Sequence, residues 1–278
     1  MKQKRQAFRR WAAAALLVLL GLLADSSLRL VTTEYTLTYA SLPEAFSGIR
    51  IVQLSDLHGA EFGRENRRLL RAVADAAPDL IAITGDLADG ETDLDRTEPL
   101  LEGLTALAPV FYVSGNHEWS DGQLRALKPI LERCGVRYLQ NDAVLLERGD
   151  ASILVAGVED PNGPADMETP EALLARLRTQ YPRQFLLLLG HRNDFPDRHP
   201  TLPAELILCG HAHGGVIRLP VLGGLLGTDR KLFPTYSAGL YHTRTYDLLV
   251  SRGLGNTAPV PRLFNPPEIV CVTLNGQQ

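Results

Sequence analysis

Five short segments carry side chains that can hold metal ions: Ser55-Asp56-Leu57-His58, Gly85-Asp86, Gly115-Asn116-His117-Glu118, Gly190-His191 and Gly210-His211-Ala212-His213. Their Asp, Asn and His side chains supply the oxygen and nitrogen donors that hard-to-borderline divalent or trivalent metals prefer. A single Asp-x-His or His-x-His is common by chance, and Gly-Asp after a strand is usually a turn. The five segments together, in this order and each after an apolar run, read as a two-metal site. Imidazole and amide mixed with carboxylate suit Mn, Fe or Zn better than Ca or Mg, and manganese or a mixed pair is expected.

The elements that must position these residues are visible beside them. Ile49–Leu54, Leu80–Thr84, Val110–Ser114, Phe185–Leu189 and Leu206–Cys209 read as strands, and each ends at a donor segment. Ligands on short loops after strand ends build a site along one sheet edge. Asp86 lies 30 positions after Asp56, and Asn116 lies 30 after Asp86. That interval is about one strand–helix–strand unit, so successive donors return to the same edge. Asp56 and His58 are two apart and share a face in extended backbone, as do His211 and His213. Glycines before Asp86, Asn116, His191 and His211 permit tight turns.

Between the strands, Glu65–Ala77 has helical spacing and stops at Pro78. Thr92 can cap a helix to about Leu107, and Asp121 opens another through Cys134. This alternation predicts parallel strands with right-handed crossovers. Further strands are expected at Thr32–Tyr39, Val216–Leu219, Tyr246–Val250 and Ile269–Leu274, with a hairpin from Ala143–Arg148 and Ser152–Gly157 and a helix at Glu171–Thr179. Ser41–Gly48 reads as a connector and the Pro-rich Asn256–Pro267 as irregular surface.

Composition is that of a globular protein: 278 residues, 45% hydrophobic and 22% charged. A net charge of −4 does not indicate a nucleic-acid-binding surface. Cys134, Cys209 and Cys271 fit neither a disulfide framework nor a thiolate metal site. The N-terminus differs from the rest. Lys2, Lys4, Arg5, Arg9 and Arg10 precede the uncharged apolar stretch Trp11–Ala24. The stretch is short for a span of roughly 20 residues, and no clean cleavage site follows. An uncleaved signal anchor is favoured over a cleaved signal peptide. Arg9-Arg10 lacks the flanks of a twin-arginine signal. The positive-inside rule then leaves the cations in the cytoplasm and the rest of the chain outside the membrane. The expected division is an anchor at 1–31, a connector and edge strand at 32–47, and a catalytic domain at 48–278.

The ordered donor segments resemble the calcineurin-like metallophosphoesterases over about residues 48–275, with the membrane-anchored bacterial phosphohydrolase branch nearest. The resemblance implies an α/β fold, a four-layer α/β/β/α sandwich of two mixed sheets. It implies that Asp56, His58, Asp86 and His213 hold one metal and Asp86, Asn116, His191 and His211 the other, with Asp86 bridging. It implies hydrolysis by attack of a metal-bridging hydroxide. His117 then faces the substrate phosphate as general acid for the leaving oxygen. Asp89 is either an ordinary turn acid or the residue that holds the proton on His117, and Glu118 stabilises its loop.

Substrate signals are thinner. Protein serine/threonine phosphatases of this superfamily carry Asp-Arg-Gly after the second aspartate; this chain has Asp89-Gly90-Glu91, which argues against a phosphoprotein substrate. Arg64, Arg192 and Asn193 flank donor segments and are candidates for substrate phosphate, Arg64 the weakest. Leu219–Tyr236 mixes Val221, Leu222, Leu225, Leu226 and Phe233 with Arg230 and Lys231. It reads first as a loop packed on the core and second as a contact for an amphiphilic phosphate at a bilayer. The expected substrate is a phosphodiester or pyrophosphate of an envelope lipid, or a lipid-linked or nucleotide-linked phosphate. The alternative, a non-catalytic metal-containing envelope-binding protein, would be favoured by a missing ligand or a missing His117, and neither is missing. The N-terminal anchor weighs against a soluble nucleotide phosphodiesterase. No obligate protein partner is indicated.

Overall fold

A strand covered on both faces needs apolar side chains at nearly every position, and this requirement shapes most of the sheet. The computed structural model describes residues 2–228, 230–256 and 261–277. In chain order the strands are β1 (Val31–Tyr39), β2 (Ile49–Leu54), β3 (Leu80–Thr84), β4 (Val110–Val113) and β5 (Arg137–Tyr138). The hairpin β6 (Asp142–Arg148) and β7 (Ala151–Gly157) follows, then β8 (Phe185–Leu189) and β9 (Leu206–Cys209). A small ribbon, β10 (Arg218–Leu219) and β11 (Gly223–Gly224), precedes β12 (Gly239–His242), β13 (Asp247–Val250) and β14 (Glu268–Gly276). Two six-stranded mixed sheets result, ordered β1-β14-β2-β3-β4-β5 and β12-β13-β9-β8-β7-β6.

Alternation sorts the side chains into layers. Ile49 and Ile51 of β2 meet Phe185, Leu187 and Leu189 of β8 in the core between the sheets. Val52 and Leu54 face the other way, into a core closed by α2 (Arg67–Asp75), α3 (Leu94–Thr105) and α5 (Leu124–Arg133). Leu186 and Leu188 pack under α6 (Pro170–Gln180) and α7 (Phe195–Arg198). The order is therefore α/β/β/α, as expected.

Several boundaries move for local reasons. α2 starts at Arg67, because Glu65 and Asn66 are left-handed, at φ 57° and 55°. α3 is capped by Asp93, whose carboxylate accepts from Asp95 N, while the Thr92 hydroxyl donates to Asp89 instead. A short α4 (Asn116–Ser120) separates from α5. Val216 lies at φ 53°, so the ladder expected at Val216–Leu219 holds only Arg218 and Leu219. In the tract 256–267, residues 257–260 lie outside the described ones. The remainder is irregular, yet Arg262 and Asn265 are buried, contrary to a surface tract.

The N-terminal helix α1 runs from Lys2 to Leu28, past the apolar stretch, and Arg29 just beyond it pairs with Asp25 at 2.8 Å. At 27 residues it is about 40 Å long, and among the described residues it is one helix long and apolar enough to cross a membrane, with mean hydropathy 1.9 over its most apolar 18 residues. Its end is fastened to the domain. Ser26 is buried and its hydroxyl accepts from Phe264 N at 2.8 Å, and Arg68 donates to the Leu28 carbonyl at 2.8 Å.

Candidate metal centre

The donor segments do leave the carboxyl ends of β2, β3, β4, β8 and β9, three strands of one sheet and two of the other. The sandwich brings these ends together. Asp56, His58, Asp86 and His213 each offer a ligand atom within 4.8 Å of the others, and so do Asp86, His191 and His211. Asp86 belongs to both groups. Asn116 joins the second, its Oδ1 3.1 Å from His191 Nε2.

Backbone conformation achieves the convergence. Asp56, His58, Asp86, His211 and His213 all have positive φ, between 46° and 66°. Residues other than glycine rarely adopt this region, at about 1–3 kcal/mol each, and such strain clusters at functional sites. The shared-face argument for Asp56 with His58, and for His211 with His213, is thus corrected: the pairs converge through left-handed turns, not extended backbone. Close approach adds to this. A Cβ on Gly115 would sit 2.2 Å from Asp86 Oδ1, and one on Gly210 2.3 Å from Asp56 Oδ2.

Hydrogen bonds orient each donor. His191 Nδ1 lies 2.9 Å from the Thr84 carbonyl, which fits a proton there and turns the Nε2 lone pair inward. That Nε2 is 3.2 Å from Asp86 Oδ2, and His58 Nε2 is 3.6 Å from the same oxygen. Asp86 Oδ2 is buried and makes no hydrogen bond. His58 Nε2 and His213 Nε2 face each other at 3.3 Å, and His213 Nε2 is 3.5 Å from Asp56 Oδ1. Both Asp56 oxygens accept from His211 N, at 3.0 and 3.1 Å. Glu118 is fully buried and accepts from Asp86 N, Gly115 N and Ala88 N at 3.0, 2.7 and 3.0 Å. It ties the β3 loop to α4 and so fixes Asp86 against Asn116.

Electrostatics match a cation site. Burial alone would lower the His191 imidazole, but the Asp86 carboxylate outweighs it and raises the group to about 10. The same contact drives Asp86 well below the carboxylate range, against burial. Burial, with His191 and Arg192 adding to it, lowers His211 to about 2, and burial takes His213 down to about 4 despite Asp56. His211 and His213, neutral, and the ionised Asp86 are in the forms that bind metal, whereas His191 must give up a proton to do so. Burial and the Asp86 charge push Glu118 up to about 7. The donor set, the orphaned Asp86 oxygen and the facing imidazole nitrogens fit two cations sharing Asp86.

The remaining candidates separate. His117 lies at the edge, part-exposed, with its backbone N–H on Asp86 Oδ1 at 2.9 Å and its ring edge-on to His58 at 4.9 Å. Its Nδ1 pairs with Asp121 Oδ2 at 3.1 Å. Asp89 therefore is corrected as the partner of His117: its carboxylate lies 3.5 Å from His58 Nδ1, and that contact holds it down at about 2. Asp121 was missed, although it sits four residues after His117, the spacing of neighbours on a helix. Arg192 reaches the site, but its guanidinium is engaged by Asp160 at 2.6 and 3.0 Å and touches His211 Nε2 at 3.1 Å. Asn193 donates to the Tyr236 carbonyl at 2.7 Å. Arg64 is 82% exposed and pairs with Glu65, apart from the donor clusters.

Known proteins share this pattern. The family model described as calcineurin-like phosphoesterase matches residues 49–215. The metallophosphoesterase YkuE of Bacillus subtilis is 31% identical over 252 residues, covering 88% of this chain and 85% of that protein. The phosphodiesterase YaeI of Escherichia coli is 29% identical, covering 81% of this chain and 82% of its own. A transmembrane protein with a metallophosphoesterase domain from Danio rerio is 28% identical over 84% of this chain and 54% of its own. With its donor clusters inside the matched span or at its rim, this chain belongs to the calcineurin-like phosphoesterases, metal-dependent hydrolases of phosphoester bonds.

Proposed function

We propose that the protein hydrolyses a phosphodiester or pyrophosphate bond of an envelope lipid, or of a lipid-linked or nucleotide-linked phosphate, at a dinuclear centre anchored to the membrane by α1. The observation that carries the reading is the buried, unbonded Asp86 Oδ2 between His58 Nε2 and His191 Nε2. Asp56, His58, Asp86 and His213 would hold one cation, and Asp86, Asn116, His191 and His211 the other. Manganese, or a mixed pair with Fe or Zn, suits these donors. When bound, such a pair supplies a water of lowered pKa and polarises the phosphoryl group.

The chain's own residues do the rest. Asp121 at His117 Nδ1 orients the ring and leaves Nε2 to give a proton to the departing oxygen. Glu118 keeps the Asp86 and Asn116 loops in register. Arg192, held by Asp160, fixes a positive charge beside His211, where charge on the phosphoryl oxygens would be stabilised. The name of the relative YaeI supports a diester. The basic residues in the first turns of α1 favour a domain outside the cytoplasm.

The test uses the purified full chain in detergent with a soluble aryl phosphodiester. Turnover is expected only with added Mn and is expected to stop with chelator. His117→Ala should retain both metals and lose about 10²–10⁴-fold in kcat. Turnover that persists after complete metal removal would refute the reading.

A further inference from the structure

Outside α1, the large apolar side chains exposed among the described residues are Leu107, Val221, Leu222, Leu232, Phe233 and Phe264. All but Leu107 fall on one loop and its neighbour. Val221 is completely exposed. It is β-branched at φ 70°, and Phe233 and Phe264 lie at φ 55° and 52°, conformations such residues avoid unless the surroundings impose them. The fold spends strain to turn these side chains outward.

The loop stands beside the anchor. Ile217 bridges Leu263, Arg218 N donates to the Leu263 carbonyl at 2.9 Å, and the next residue, Phe264, donates to Ser26 of α1. The far limb is folded back on the near one, with Leu226 bridged to Leu232 and Phe233 N on the Leu225 carbonyl at 3.0 Å. The base of the loop is fastened to the metal centre: Asn265 Nδ2 donates to the His213 carbonyl at 2.7 Å, and Asn193 holds the Tyr236 carbonyl at 2.7 Å. Arg230 and Lys231 lie within the loop.

We propose that residues 217–228 with Leu232, Phe233 and Phe264 form a second membrane contact, lying in the interface of the bilayer that α1 enters. The inference rests on the reading of α1 as the anchor. Apolar and aromatic side chains mixed with cations, contiguous with the end of a spanning helix, match the boundary between acyl chains and anionic headgroups. Soluble surfaces seldom gather such side chains without a partner. The contact seats the metal centre at headgroup level, so a phosphate ester still embedded in the membrane is within its reach.

The test places the full chain, carrying Val221→Cys or Phe264→Cys with Glu147→Cys as an exposed reference on β6, in vesicles of phosphatidylethanolamine and phosphatidylglycerol. A membrane-impermeant maleimide is added, and labelling is followed peptide by peptide by mass spectrometry, which separates the native Cys134. Each rate is divided by the rate of the same thiol in urea. Cys at 221 and 264 is expected to label about ten-fold or more slowly than Cys at 147, as for a side chain withdrawn into the headgroup boundary. Equal rates would overturn the proposal. So would protection that rises with the protein-to-lipid ratio, which would make a second copy of the chain the occupant. Metal-dependent hydrolysis of the soluble aryl diester by the same samples reports separately on the proposed function.

Discussion

Adding one methyl group at Gly210 tests whether donor placement is as tight as the geometry requires. The Cβ of Gly210→Ala would fall 1.9 Å from Ser55 Oγ and 2.3 Å from Asp56 Oδ2. Ordinary contact begins near 3.4 Å, so the Asp56 carboxylate must retreat by about 1 Å. Its two bonds from His211 N break, and Ser55 loses its bond to the Thr84 carbonyl. Overpacking of this kind costs about 1–3 kcal/mol, which lowers Tm by about 2–4 °C per kcal/mol in a chain of this size. A misplacement of about 1 Å at a reacting centre costs about 10²-fold in rate. Gly157→Ala is the control, since its Cβ would meet Leu139 Cβ at 2.4 Å and Val113 Cγ1 at 2.6 Å, between the sheets. Tm by scanning fluorimetry, metal content by mass spectrometry after dialysis against limiting Mn, and kcat on the aryl diester are measured for both. Gly210→Ala should lose metal and rate well beyond its Tm change, and Gly157→Ala should lose Tm alone. If both lose metal in equal measure, or Gly210→Ala keeps both ions and full rate, donor placement is not what the strand end controls.

Other outcomes follow from particular contacts. Asp121→Asn is expected to lower kcat with metal content intact, whereas Asp89→Asn, beside His58, should weaken metal binding; the reverse pattern would restore Asp89 as the partner of His117. Glu118→Gln leaves one of three backbone N–H groups without an acceptor and should cost about 1–3 kcal/mol in urea unfolding, an unchanged midpoint being the refuting result. His191 in the metal-free protein is raised from 6.5 to about 10, so its contribution to stability is complete below pH 6.5 and lost as pH climbs toward 10. Metal must displace that proton, so Mn affinity measured by calorimetry should rise with pH over this window and uptake should release protons. A flat affinity profile would remove His191 from the donor set.

The parts of the site legible in the sequence were those where local chemistry and fold agree. Strands such as Phe185–Leu189 are buried on both faces and show as unbroken apolar runs, so the donors at their ends stand out. The backbone at those donors was not legible, because no pattern distinguishes a left-handed Asp or His from an extended one. Nearness in sequence to Asp86 leaves Asp89 open as a partner of His117, whereas helical spacing to Asp121 carries the better signal. Arg262 hides in a Pro-rich tract that looks like surface. It is buried because its guanidinium satisfies the Gly255 and Arg252 carbonyls, contacts that exist only in the folded chain.

Pairing of β14 with β1 on one side and β2 on the other has a consequence for how the enzyme is made. β14 runs from Glu268 to Gly276, so an interior strand of the first sheet follows all of its neighbours in chain order. β1 precedes the other strands, and among the described residues its ladder partner is β14. Val31 pairs with Glu268, so a large loop must close before the edge of the first sheet is sealed. A chain cut before residue 268 leaves β1 and one side of β2 open, so the first sheet closes only when residues 268–276 reach back to strands far upstream.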